Sequence, residues 1–392
     1  MGAGILGGVR VVELGHAVAG PTAGQVLADL GAEVIKVERP GGGDIFRDTP
    51  EMGPTMFIAL NRGKKSVAID LSRPEGRELF RRLVSASDVL ITNLDPQALR
   101  KLGVTWEEMS RANERLVMCE ISGFGAGPYG DAPALDPILQ AMTGIMSVTG
   151  LPPDKYVRAG ISLSDQAAAF HCVIAVLAAL LRRASTGRGA HITVSLFDSD
   201  VFYMSYWIAY RDLYGKDPLP LGTTHIYSAP YNLFRLRDGL LYIAVVSDGQ
   251  WRSFCRALGF DDLLGDPRYA TQAGRVAHKA ELEEEVQRRL SGMGVRETFE
   301  RLVKAGVPAA PLYRVGDLLE DPHAKQSGSI REVEWRGRRL RVSVSPYVVD
   351  GERLFAPGPP PELGQHTDEV LKGLLGLSDE EVRRLREEGV VA

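Results

Sequence analysis

Asp165 is the side chain whose setting in this sequence most plainly offers chemistry. It follows Gly160-Ile161-Ser162-Leu163-Ser164 and precedes an uncharged, largely apolar run from Gln166 to Leu181. A helix apolar all round is a buried helix, so the run is expected to form a core helix. It is expected to be too short and too rich in Ala to span a membrane. Ser164 or Asp165 is the expected N-cap. Arg182 and Arg183 fit the last turn, and Gly187 fits the stop. At such a helix start a carboxylate is stabilised by free backbone N–H groups and by the helix dipole. On the helix alone Asp165 reads as a cap. A reactive role depends on the rest of the chain.

The other polar candidates are fewer. Arg39, Arg62, Lys64, Lys65, Arg73 and Lys101 fall at or just past the ends of successive strands, where an open α/β sheet binds ligands, and several cations there suit a polyphosphate. His16 sits in the first strand–helix turn, at the same edge, whereas His171 lies within the apolar run and reads as a core histidine. Neither HExxH nor GxSxG is present, so no local zinc motif or nucleophile elbow is expected. The turn after the first strand lacks GxGxxG, which argues against a nicotinamide cofactor. Cys119, Cys172 and Cys255 are scattered, without a disulfide framework or a metal spacing. The formal net charge of −4 over 392 residues implies no general attraction to nucleic acid or to an anionic membrane. No signal peptide is read in the N-terminal stretch, and the expectation is a cytoplasmic protein with no metal.

The elements that position these residues alternate. Strands are expected at 9–14, 33–38, 66–71, 88–93, 116–122 and 191–197. Helices are expected up to Leu30, over 74–86, 96–102, 106–113 and 136–148, and as one long aromatic helix over 198–214. That is the pattern of a parallel α/β sheet. Pro218, Pro220 and Gly222 mark a linker. A hairpin around Arg237-Asp238-Gly239 and helices at 250–258, 279–290 and 296–305 then indicate a smaller α+β region. The expected organisation is a Rossmann-like open parallel sheet domain over 1–215, a small α+β domain over 225–325, and a linker with two C-terminal helices over 326–392 returning to the large domain.

In this order and spacing the chain resembles the family III CoA-transferases, the group that includes formyl-CoA transferase and the carnitine CoA-transferases. The resemblance is carried by His16-Ala17-Val18-Ala19-Gly20-Pro21, Leu30 to Glu38, Asn61 to Ser66, Asp70-Leu71 with Pro74-Glu75-Gly76, and Asn93. It continues through Gly123-Phe124-Gly125, Thr186-Gly187-Arg188-Gly189, Asp266-Pro267-Arg268-Tyr269, Ala305 to Pro308 and Asp321-Pro322-His323. The resemblance implies that Asp165 is the catalytic aspartate and that His16, Ala17, Val18 and Ala19 line the CoA site. It places Arg39, Ile69, Ser72, Asn93, Leu94, Ala98 and Lys101 against the nucleotide or pantetheine. Ser72 stands where a Lys is common, with Arg73 beside it. A lid would fall at Ser247 to Gln250, where Gly249 and Gln250 carry the match with a single glycine. The implied reaction moves CoA from an acyl-CoA to a free carboxylate through an aspartyl anhydride and thioester, with coenzyme A as substrate and no permanently bound cofactor. The implied assembly is an interlocked homodimer. Two alternatives stand beside this: an α-methylacyl-CoA racemase, whose histidine before Asp136 is here Leu135, and a non-catalytic CoA-binding protein.

Overall fold

Six short apolar strands assemble into one parallel sheet. The computed structural model describes residues 4–392, and residues 1–3, which begin the stretch read for a signal peptide, lie outside them. In chain order the first elements are β1 (Arg10–Leu14), α1 (Ala19–Asp29), β2 (Glu33–Glu38), α2 (Met52–Asn61), β3 (Lys65–Ala68), α3 (Pro74–Ser85), β4 (Val89–Thr92), α4 (Pro96–Leu102), α5 (Trp106–Ala112), β5 (Val117–Ser122) and α6 (Asp136–Met142). A short hairpin of β6 (Gly150–Leu151) and β7 (Lys155–Tyr156) precedes α7 (Leu163–Thr186), β8 (Ala190–Ser195), α8 (Leu196–Tyr203) and α9 (Ser205–Tyr214). The sheet order is β3-β2-β1-β4-β5-β8, and every neighbouring pair is parallel. Inner strands covered on both faces are largely apolar, which is why β1, β4 and β5 read as runs, whereas the edge strand β8 alternates in exposure. Successive residues feed opposite faces. Val12, Ile35 and Leu90 pack with Leu79 and Leu83 of α3. Val11, Val34 and Val117 pack with Leu27 of α1 and with Cys172 and Val176 of α7.

Two compact units result. The first comprises residues up to Met146, Arg158–Lys216 and Pro322–Ala392, and the second comprises Ser147–Val157 and Asp217–Asp321. In the first, the C-terminal segment closes on the sheet edge: Ala68 N–H donates to Thr367 Oγ1 at 3.1 Å, and Asp70 N–H donates to the Val390 carbonyl at 2.8 Å. The second unit holds the antiparallel sheet β11-β10-β9, built from β9 (Tyr231–Leu236), β10 (Gly239–Ala244) and β11 (Ala309–Pro311). Its helix α10 (Asp248–Leu258) buries Trp251 and Phe254 in that unit's core.

Several expectations are corrected. The long aromatic helix is broken at Met204 into α8 and α9. Helix α2, absent from the sequence reading, forms in spite of Gly53 and Pro54, because Pro is tolerated in a first turn. The expected helix over 136–148 stops at Met142, and a 3₁₀ turn follows at Met146–Val148. The segment 147–157, read within the large domain, groups with the second unit. The N-cap of α7 is Ser162, so neither Ser164 nor Asp165 caps it. Nor is α7 buried all round. Its 24 residues are long and apolar enough, by length and composition, to cross a membrane, yet only 39% of its most apolar window is buried in the protein. Ile174 and Leu181 stand 64% and 77% exposed.

Candidate active site

The turn after β1 is built for close approach. A Cβ on Gly15 or on Gly20 would lie 2.6 or 2.7 Å from Asn93 Oδ1, so only glycine admits Asn93 between them. Asn93 clamps the turn from both sides: His16 N–H donates to its Oδ1 at 3.0 Å, and its Nδ2 donates to the His16 carbonyl at 2.9 Å. Ala17 is held at φ 60°, a conformation that a non-glycine residue adopts only under constraint. Its N–H donates to Asp44 Oδ1 at 3.3 Å. Asp44 in turn meets the Lys36 ammonium at 2.9 Å. Lys36 also donates to Glu13 Oε1 and to the Gly15 carbonyl, both at 2.8 Å. Burial lowers the basicity of His16, partly offset by Asp44, so the imidazole favours its neutral form.

Beside this turn lies a cavity of about 360 Å³. Its walls come from the segments that follow β1, β2, β3 and β4, the carboxyl ends of the sheet, next to the point where the strand order reverses between β1 and β4. His16, Arg39, Ile69, Ser72 and Leu94 of the expected site line it, joined by Asp44, Ile45 and Asp70, which the sequence reading did not single out. A rule available from sequence, that ligands sit past strand ends, points to the loop carrying Asp44. Asn93 holds the rim through His16. Ala17, Val18, Ala19, Arg73, Ala98 and Lys101 do not line the cavity, and Val18 and Ala19 are buried where α1 begins. Arg73 lies 3.4 Å from Asp70. Gly249 and Gln250 belong to the second unit and form the first turn of α10 rather than a loop, with Ser247 Oγ accepting the Gln250 N–H.

The basic cluster is divided by burial. Arg62 is locked in a two-pronged pair with Asp29, at 2.6 and 2.7 Å. Lys64 donates to Glu13 at 2.6 Å, and Lys65 spans Glu33 and Glu369 at 2.6 and 2.8 Å. Those three serve the fold, contrary to the polyphosphate reading. Arg39, at the cavity wall, and Lys101, on α4, are exposed, and among the described residues neither makes an ion pair.

Asp165 occupies the first turn of α7, half-buried, and its carboxylate accepts no hydrogen bond among the described residues. Both polar groups of its neighbour Ser164 are taken. The Ser164 N–H donates to Asp136 Oδ1 at 2.7 Å, and its hydroxyl donates to Asp200 Oδ2 at 2.6 Å. The Ser164 N–H is therefore not one of the free groups at this helix start. Asp136 is steadied by Gln140 Nε2 at 2.8 Å, and Gln140 Oε1 accepts the Ala159 N–H at 2.9 Å, so α6 grips the segment leading into α7. Burial, with the nearby charges of Asp136 and Asp200, pushes the Asp165 carboxyl up to about 7. A carboxylate so raised, free of partners and delivered by a helix start is fitted for proton transfer or nucleophilic attack. Among the described residues there is no cluster of His, Cys, Asp or Glu able to hold a metal ion.

The family model for CoA-transferase family III matches residues 6–367. The succinate–glutarate CoA-transferase of Agrobacterium fabrum is 36% identical over 381 residues, covering 94% of this chain and 95% of that protein. The succinyl-CoA–D-citramalate CoA-transferase of Chloroflexus aurantiacus is 35% identical, covering 98% and 97%. Among solved structures, a CAIB/BAIF family protein from Brucella suis matches with TM-score 0.85 and 36% identity, over 94% of this chain and 98% of that one.

Proposed function

Since this chain belongs to CoA-transferase family III, we propose that it moves CoA between carboxylates through a covalent intermediate on Asp165. The observation that carries this reading is the Asp165 carboxylate itself: at a helix start, without a hydrogen bond among the described residues, and raised to about 7 by burial and two neighbouring anions. An ionised carboxylate robbed of solvation and hydrogen bonds is a better nucleophile than one in water. Its oxygen attacks the acyl-CoA carbonyl and the C–S bond breaks, which leaves a mixed anhydride and the CoA thiolate. The thiolate then attacks the Asp165 carbonyl, releases the first carboxylate and leaves an aspartyl thioester. The second carboxylate attacks that thioester and regenerates thiolate and anhydride. The thiolate finally takes the new acyl group and frees Asp165. Each thioester lost is replaced by one of similar energy, so no ATP or metal enters the balance.

The cavity at the strand ends is the proposed CoA site, with Arg39 as its phosphate partner. The acids exchanged are taken to be dicarboxylic, after the succinate, glutarate and D-citramalate in the relatives' names. The racemase reading is set aside, since the residue before Asp136 is Leu135, which holds no proton. The test is trapping. Incubation with succinyl-CoA and hydroxylamine, with no acceptor acid, is expected to leave a hydroxamate at Asp165, and Asp165→Asn is expected to lower transfer by several orders of magnitude. Transfer near the parent rate in that variant refutes the covalent mechanism.

A further inference from the structure

Asp200 comes from α8 and is fully buried, 0% exposed. It has no cation. Its Oδ2 accepts the Ser164 hydroxyl at 2.6 Å and the Thr143 hydroxyl at 3.3 Å, and its Oδ1 has no hydrogen-bond partner among the described residues. A buried carboxylate left in this state costs stability, so its presence beside the residue that precedes Asp165 calls for a role. Helix packing alone would be better served by an apolar side chain at this position.

We propose that Asp200 is a positioning residue for the candidate nucleophile, holding the first turn of α7 through the Ser164 hydroxyl and keeping a second buried negative charge beside Asp165. The inference rests on the reading of Asp165 as nucleophile. Two helices thereby fix Ser164: α6 takes its N–H through Asp136, and α8 takes its side chain through Asp200. Asp165, one residue on, has its backbone direction set by both. The charge acts in the same direction. Burial, then Asp136, then Asp200 raise Asp165, and Asp200 is itself raised by burial, with Ser164 and Thr143 opposing. The hydrogen bonds from Ser164 and Thr143 favour the ionised form of Asp200 against the burial that raises it. On the other elements packed against α7 the titratable groups are engaged elsewhere. Asp29 of α1 pairs with Arg62, Glu120 of β5 with His191 of β8, and Cys119 of β5 with Cys172. When the ionised form of Asp165 is acylated its charge disappears, and the repulsion from Asp136 and Asp200 is relieved at that step. The cluster therefore favours the covalent state over the resting one.

The titration of Asp165 is readable without substrate, as the pH dependence of the stability difference between the parent and Asp165→Asn. The same pair of measurements is made in an Asp200→Asn background, which keeps the size and an acceptor for Ser164 but removes the charge. The midpoint near pH 7 is expected to fall by about one unit. An unmoved midpoint overturns the charge role. Ser164→Ala keeps all three carboxylates and cuts the tether. It is expected to slow trapping of succinyl-CoA on Asp165 about tenfold, and an unchanged trapping rate overturns the positioning role. Should Asp200→Asn not fold, the Ser164→Ala arm alone decides. Failure here is distinct from failure of the mechanism: an active Asp165→Asn refutes the nucleophile, whereas an inactive one with an unmoved midpoint refutes only the part given to Asp200.

Discussion

At the scale of the residue, Asp165 is a case of a group that destabilises the protein in order to act. Its ordinary value is 3.8, and in the folded protein it rises to about 7. Between those values the folded state binds a proton that the unfolded chain has released. Stability therefore falls as pH rises through that window, and the loss is complete above about 7. A shift of this size corresponds to about 4 kcal/mol, and partial exposure reduces the expectation to about 2 kcal/mol. Asp165→Asn is thus expected to be more stable than the parent by about 2 kcal/mol at pH 8 and equal to it at pH 4 in urea unfolding. Equal stability at both pH values would mean that the carboxyl is not raised. The aspartate was legible in the sequence from its place between a turn and an apolar run. Its surroundings were not. The partners of Ser164 lie 28 residues before it and 36 after it, on helices whose relative packing no local pattern encodes. The cap differs as well: Ser162 starts the helix, and its side chain makes no capping bond.

At the scale of the element, strands were legible and loop cations were not. A strand buried on both faces announces itself as an apolar run, so β1, β2, β4 and β5 were found to within a residue or so of their ends. Arg62 and Lys64 sit in a loop between α2 and β3, where basic residues ordinarily face water. Instead they reach inward to Asp29 and Glu13, which are 33 and 51 residues away in sequence. Lys64 and Lys36 share one carboxylate, with all three side chains shielded from solvent. Burial lowers Lys64 to about 8, with Glu13 opposing and Lys36 adding to the shift. The turn that lines the cavity rests on this network through the bonds of Lys36 to Gly15 and Asp44. Glu13→Gln leaves two buried cations without their shared anion and is expected to cost about 3–5 kcal/mol in urea unfolding at neutral pH. A loss below about 1 kcal/mol would show that the charges are relieved by solvent instead.

At the scale of the whole molecule, what the first unit leaves uncovered matters most. Helix α9 buries none of its residues. Phe202, Tyr206 and Leu213 of α8 and α9 are exposed, as are Ile174 and Leu181 of α7. Exposed apolar residues grouped in this way mark a candidate interaction face. Composition could not separate this from a core: an apolar run reads the same whether its cover comes from its own chain or from another. The chain also passes between the two units four times, at 146/147, 157/158, 216/217 and 321/322. For the assembly we propose the interlocked homodimer that the family resemblance implies. A dimer closed by threading is held by topology as well as by buried area, so dilution alone does not separate it. Light scattering is expected to give about twice 42.7 kDa. Mixing of differently tagged dimers, each already folded, is expected to yield no hybrid until denaturant unfolds the chains. Charge placed on the uncovered face, as in Ile174→Glu, is expected to lower the yield of folded dimer, since each copy would bury an unpaired carboxylate. Hybrids that form freely under native conditions, or a folded monomer at nanomolar concentration, would rule out threading and leave an ordinary docked pair or a single chain.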